Sequence, residues 1–189
     1  MMKVFIGLVH FPVLNRRGER ICSAITNLDI HDIARAATTY GVQGFFIITP
    51  SRGQQDLARR VSAHWIDGVG GQFNPDRKKA FDIVRVVADV NQAVKEVESD
   101  TGTRPALLAT SARELPGCVS WENFEKRVYK NEFKCILLLF GTASGLHQEC
   151  IDQCDGVICP ICAGTDYNHL SVRSAVAIVL DRISRFRRQ

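Results

Sequence analysis

The sequence predicts an α/β domain built on a mainly parallel sheet flanked by helices. Six short β-rich runs, KVFIGLV, GFFIITP, FDIVRVV, RPALLAT, KCILLLF and GVICPI, punctuate the chain. Several are apolar at successive positions, as parallel strands covered on both faces must be. Helical patterns separate them, and strands alternating with helices of these lengths imply crossover connections and a single sheet.

The opening MMKVFIGLVHF carries one lysine and a short apolar run broken by His10, then Pro12 and the polar turn NRRGER. No small-residue cleavage site follows, so this is a first strand and not a signal peptide. A helix is expected over Ile30–Tyr40, with Ile30, Ile33, Ala34 and Ala37 on one face and Asn27 or Asp29 placed to cap it. Further helices are expected over Gln54–Trp65, Val90–Glu98, Trp121–Asn131 and Leu170–Phe186. In the last, six consecutive residues from Ala175 to Leu180 are apolar, which predicts cover nearly all the way round. The entry to that helix crowds Gly164, Thr165, Asp166, Asn168, His169 and Ser171 together, a pattern that fits either a ligand site or a well-capped helix start.

A chain of 189 residues and 21.1 kDa suits one core, so a single domain over residues 1–189 is expected. Hydrophobic residues at 46% and charged residues at 23% match globular usage and exclude a disordered chain. No apolar run approaches a membrane span. Seven cysteines, an odd number scattered through core-like segments, point to a reducing compartment and hence the cytoplasm. Cys150, Cys154, Cys159 and Cys162 lie close together, but no second CxxC or HxxxH completes a ligand set. They read as small hydrophobes, with no metal expected. The net charge of +4 falls short of the strongly basic signature of many nucleic-acid binders. Basic residues nevertheless cluster: Arg16, Arg17 and Arg20; Arg77, Lys78 and Lys79; and Arg182, Arg185, Arg187 and Arg188, the last group suited to a helix C-terminus.

In a parallel sheet, ligands bind beyond the carboxyl ends of the strands. The loops after the last three runs read SARELPG, GTASGLHQE and CAGTDYNH. They carry small residues but neither GxGxxG nor GxxxxGK, which disfavours a conventional NAD or ATP site. What remains is a cofactor held by backbone groups of three late loops. The segment DGVGGQFNPDRKK, Asp67 to Lys79, reads as a long glycine-rich loop.

Three stretches resemble the SPOUT superfamily of trefoil-knotted RNA methyltransferases: the helix ending ARAATTYGV, the strand and turn LLLFGTASGL, and GVICPICAGTDYNHLSVRSAVAIVL. The chain is also similar to a small bacterial SPOUT family whose pattern includes NPDR and YNHLSVRSA. The resemblance implies a C-terminal trefoil knot, an exception to unknotted connections, a homodimer paired through the last helix, and S-adenosylmethionine as methyl donor. It implies that Thr110, Ser111, Leu139, Phe140, Gly141, Gly145, Ile158, Ile161, Gly164, Leu170 and Val172 surround the cofactor. The implied substrate is RNA, tRNA first, methylated on ribose 2′-O ahead of a base. A non-catalytic RNA- or cofactor-binding module is the alternative.

The resemblance further places Arg35 at a developing alkoxide, since an arginine stays protonated, with Asn27 as an approximate counterpart of the first-motif Asn. Where many relatives carry a second-motif Glu, this chain has the compressed GTASGL with Ala143. Ser171 stands for the final-motif Asn. Asn168, His169, Ser171 and Arg173 then supply the missing polar functions, with His169 either touching substrate or capping the loop. On the RNA side the resemblance implies Arg35, Phe73, Asn74, Arg77, Lys78, Lys79 and Arg173, with Phe73 stacking a base and the cations meeting phosphate.

Overall fold

The computed structural model describes residues 2–187, so Arg188 of the terminal basic cluster lies outside the described residues, as does the side chain of Arg187. Strand β1 (Lys3–Val9) is buried at its last six positions. It can be so only because it lies inside a sheet covered on both faces. It pairs in parallel with β4 (Gly44–Ile48) on one side and β7 (Cys135–Gly141) on the other. Beyond β4 lies β5 (Val84–Val87), and beyond β7 lie β6 (Ala106–Thr110) and then β8 (Gly156–Ile158), every pairing parallel. The order is β5-β4-β1-β7-β6-β8. All six runs read as strands are strands. A two-stranded hairpin of β2 (Val13–Leu14) and β3 (Arg20–Ile21) follows β1 and carries Arg16 and Arg17 at its turn.

One face of the sheet is covered by α1 (Asn27–Thr39), α2 (Arg52–Ile66), α4 (Pro75–Phe81), α6 (Trp121–Tyr129) and α8 (Val172–Arg187). Their apolar stripes close over Ile6, Leu8, Phe45, Ile47 and Leu138. The other face is covered by α5 (Val90–Thr101) and the single turn α7 (Gln148–Ile151), packed on Phe5, Phe46, Leu137 and Leu139. Among the described residues no helix is long and apolar enough to cross a membrane.

Three sequence expectations are corrected. Helix α1 is capped by Thr26, not by Asn27 or Asp29: Thr26 is extended, and its Oγ1 accepts from the Asp29 N–H at 3.1 Å while its hydroxyl donates to Asp29 Oδ2 at 2.6 Å. A cap must sit outside the helix to reach back to its third residue, and Asn27 is already inside.

The segment 67–79 is not a loop but α3 (Val69–Phe73) and α4. Asn74 caps α4 through its Oδ1, which accepts from the Arg77 N–H at 2.9 Å, and Pro75 takes the first helical position. Arg77 reaches His31 Nδ1 at 2.6 Å and lies over the Trp65 ring, and Lys78 donates to the Ile66 carbonyl. The NPDR motif therefore clamps α4 onto α1 and α2. Of the residues placed on the RNA side, only Phe73, 88% exposed, and Lys79 in this segment face solvent without such a role.

Helix α8 buries a single stripe, Val176, Val179, Leu180 and Ile183, against α1, α6 and the sheet. Ala175, Ala177 and Ile178 remain partly exposed, the latter two lining a cleft with Tyr40 and Asp181. One layer of neighbours covers one side of a helix, so all-round burial is not reached within one chain. Beyond the stripe, Arg182 stacks on Trp121 and Arg185 pairs with Asp181 at 2.7 Å.

Candidate functional site

Because β7 lies beside β6 and β6 beside β8, the loops that leave these three strands emerge next to one another. Gly141 ends β7, and a Cβ there would collide with the backbone of Gly145 and Leu146. The turn closes only around glycine. Gly145, at φ +102°, donates its N–H to the Thr142 carbonyl and accepts from the Leu14 N–H, both at 2.9 Å. Leu139 and Phe140 are buried beneath.

After β6, Thr110 donates to the Leu139 carbonyl at 2.9 Å and Ser111 Oγ accepts from the Arg113 N–H at 2.9 Å. The chain then returns so that Val119 continues alongside β8, its N–H on the Val157 carbonyl at 2.7 Å and its carbonyl accepting from Cys159 at 2.9 Å. Ile158, between those two partners, is fully buried.

The third loop is tied to the second twice. Asn168 Nδ2 donates to the Ala112 carbonyl at 2.9 Å, and Cys118 is joined to Cys159 by a disulfide. Cys135, Cys150 and Cys154 are thiols in or beside the core, and burial pushes Cys150 up to about 11 and Cys154 to about 12. Cys159 and Cys162 depart from the reading of late cysteines as small hydrophobes: Cys162 is an exposed thiol, and Cys159 is disulfide-bonded. Its partner lies 41 residues away, which sequence spacing does not reveal.

Gly164 sits at φ +74° in open space, Ile161 is half-buried, and Leu170 and Tyr167 are 46% and 75% exposed. Ser171 Oγ accepts from the Ser174 N–H at 3.3 Å at the start of α8, the position of a helix cap. His169 is exposed, its ring 5.2 Å from that of Tyr167. Val172 opens α8. The eleven residues expected around a cofactor thus lie on three cross-tied strand ends. The exposed side chains of Tyr167 and Leu170 offer the apolar cover that an adenine nucleoside needs. Among the described residues no group of three or more His, Cys, Asp or Glu is placed to hold a metal.

The polar residues flanking these loops include several the sequence did not single out. Arg173 donates to Asp29 Oδ1 at 2.9 Å and lies 3.4 Å from Asp32, bonding the head of α8 to the first turns of α1. Arg35 is elsewhere. Six residues past Asp29, it lies about 9 Å farther along the helix axis, exposed and on the same stripe as Asn27 and His31.

Behind the loops runs a buried chain: His10 Nδ1 is 3.0 Å from Ser23 Oγ, which is 2.5 Å from Thr142 Oγ1, whose hydroxyl donates to the Val9 carbonyl at 3.0 Å. With the Thr142 hydrogen spent on Val9, Ser23 must donate to Thr142, and His10 must donate from Nδ1 to Ser23. Its Nε2 is then an unprotonated acceptor, buried without a partner. Burial lowers the His10 pKa to about 4, against the opposing pull of Asp29.

The sequence profile of one family, described as SAM-dependent RNA methyltransferase, matches residues 3–185. The chain belongs to that family. It is 43% identical over 180 residues to a protein of Oleidesulfovibrio alaskensis named tRNA (guanine-N(1)-)-methyltransferase, a match covering 95% of this chain and 41% of the relative. It is 34% identical to an uncharacterized protein of Aquifex aeolicus, over 95% of this chain and 87% of that one. The chain therefore spans about two-fifths of the first relative and most of the second. In fold it is similar to the SpoU methyltransferase AviRb from Streptomyces viridochromogenes in complex with AdoMet, at a TM-score of 0.62 and 17% identity, over 98% of this chain and 60% of that one. The α/β architecture is thus that of SpoU-type folds.

His10 predicts a pH dependence of stability. Its folded pKa is below the unfolded value near 6.5, so the unfolded state binds the extra proton first and stability rises with pH. The contribution is complete above about pH 6.5 and is lost as pH falls towards 4, a total on the order of 3 kcal/mol. Urea titrations between pH 4 and 7 should show this slope in the wild type and a shallower one in His10→Asn. Equal slopes would remove His10 as its source.

Proposed function

We propose that this chain holds S-adenosylmethionine on its three late loops and methylates tRNA, with a ribose 2′-hydroxyl as acceptor. The observation that carries the reading is the cross-tying of three adjacent strand-end loops in a chain of this family. S-adenosylmethionine, when bound, supplies an electrophilic methyl group. The chain's own residues must then fix the donor and bring the acceptor in line with it. In this reading Thr110, Gly141 and the segment 161–170 surround the donor, and the Arg173–Asp29 pair fixes α8 against α1 beside them. Arg35, exposed and in no ion pair among the described residues, offers positive charge to the RNA; the first-helix arginine of the resemblance supports the ribose reading. Such a substrate places the chain in the cytoplasm, where disulfides are rare, so the Cys118–Cys159 bond departs from the expectation of cysteines kept as thiols.

A second reading, methylation of guanine N1, is favoured by the name of the Oleidesulfovibrio relative. That relative is more than twice as long as the matched segment, so its named activity belongs to a larger protein. The two readings separate cleanly. Bulk tRNA methylated with labelled S-adenosylmethionine and digested to nucleosides should yield label in 2′-O-methylated nucleosides. Label in N1-methylguanosine instead would replace the ribose reading, and no transfer to tRNA would leave a binding module.

We also propose that the C-terminal segment carries the trefoil knot and that two chains pair through α8. The partly exposed Ala177 and Ile178, beside the buried stripe, are the surface a partner would cover. Val179 is buried within the chain and Ile178 is not, so a charge acts differently at each. Val179→Asp should abolish cooperative unfolding, whereas Ile178→Asp should leave a folded monomer by light scattering. A folded Ile178→Asp dimer would remove α8 from the contact.

A further inference from the structure

The first turns of α1 present two stripes. Asp29 and Asp32 turn to Arg173 and the cofactor loops. On the stripe that ends in Arg35, Asn27 and His31, spaced by four residues, turn the other way and face α2. There they meet a second helical stripe, Leu57, Arg60, Val61 and His64, with Trp65 at its foot. The two helices do not close on one another. Between them lies a cleft of about 550 Å³ lined by these side chains.

This cleft is neither core nor ordinary surface. Leu57 is 40% exposed on one wall and Leu28, at the head of α1, is 64% exposed beside it. Apolar side chains so placed await a flat apolar occupant. The lining contains Arg60 and no carboxylate, and the charges of Arg77, Asp32 and Arg35 all reach His31. Arg35 and Arg60 make no ion pair among the described residues.

The rigid end is well fixed: the Trp65 indole N–H donates to His31 Nε2 at 3.2 Å, with the rings edge-to-face at 5.4 Å, and His64 meets Trp65 edge-to-face at 4.9 Å. His31 faces two donors, Trp65 and Arg77; the neutral ring accepts from one of them, and protonating it would leave both unmatched. Its pKa is lowered by desolvation and then by the Arg77 charge. The imidazole face is thus neutral and suited to stacking, while the positive charge stands at the rim.

Apolar and imidazole faces for a ring, with guanidinium groups for phosphate and no acid in the lining, are the recognition chemistry of an unstacked nucleotide. We propose that the cleft between α1 and α2 holds one unpaired nucleotide of the RNA substrate, beside the nucleotide that is methylated. The base lies between Leu57 and the His31 and His64 rings, and Arg60 and Arg35 hold its flanking phosphates. Since α1 has the cofactor loops on its other side, a strand laid across its first turns reaches both. The proposal rests on RNA as the substrate of the loop site.

The test uses the full chain and bulk tRNA. Leu57→Ala with Arg60→Ala alters exposed side chains, so the fold is retained. Binding of tRNA should weaken roughly tenfold, with the slope of log affinity against log salt reduced by about one, and S-adenosylmethionine affinity unchanged. In a Trp121→Phe background Trp65 is the single tryptophan, and tRNA should change its fluorescence. Unchanged tRNA affinity and salt slope in the double variant would overturn the proposal. So would a variant that loses its dimer by light scattering, which would make the cleft a subunit contact, or a wild type that fails to bind tRNA. Methyl transfer by the wild type is measured in parallel. Transfer retained with binding unmoved by the variant removes the cleft alone, whereas no transfer with binding weakened removes the enzymatic reading alone.

Discussion

The pairing of β7 with β1 on one side and β6 on the other is the constraint on which the site depends. It places the carboxyl ends of β7, β6 and β8 in a row, although the chain makes these strands in a different order. Three loops far apart in sequence then share one edge. Each is short of regular structure, so its backbone groups must be satisfied locally or by neighbouring loops. The answer is mutual: the loop after β6 is bonded to the end of β8 through Val119 and Cys118, and the loop after β8 returns to Ala112 through Asn168.

The interior behind the loops obeys the same accounting. Thr142 and Ser23 satisfy each other and the Val9 carbonyl, and the direction of their hydrogen bonds dictates which His10 nitrogen carries the proton. Satisfaction stops at His10 Nε2, the end of this hydrogen-bonded row, which is buried without a partner. A polar chain with one unmet end fixes the backbone of β1, β7 and the segment before α1 in one arrangement and titrates when that arrangement is challenged by acid.

How much of this could be read from the sequence follows the range of the interactions. The strands were legible because burial on both faces leaves continuous apolar runs. Helix α4 was not, since Gly68, Gly70 and Gly71 read as loop, although Asn74 followed by Pro75 was a helix-start signal in plain view. The three late loops were singled out from strand ends and small residues. The cleft was half legible: Leu57, Val61 and His64 keep helical spacing, but nothing in α2 shows that α1 stands away from it. The bonds that organise the site were out of reach, because Asp29–Arg173 and Ser23–Thr142 join residues 144 and 119 apart. Tertiary pairing of that range leaves no local pattern.

The central claim is that a single cofactor site is formed jointly by the three loops, and amide hydrogen exchange with and without S-adenosylmethionine tests it most directly. The account predicts added protection in all three segments, 110–118, 141–146 and 159–171, with the α1–α2 cleft unchanged. Protection confined to one loop, or centred on the cleft between α1 and α2, would contradict it.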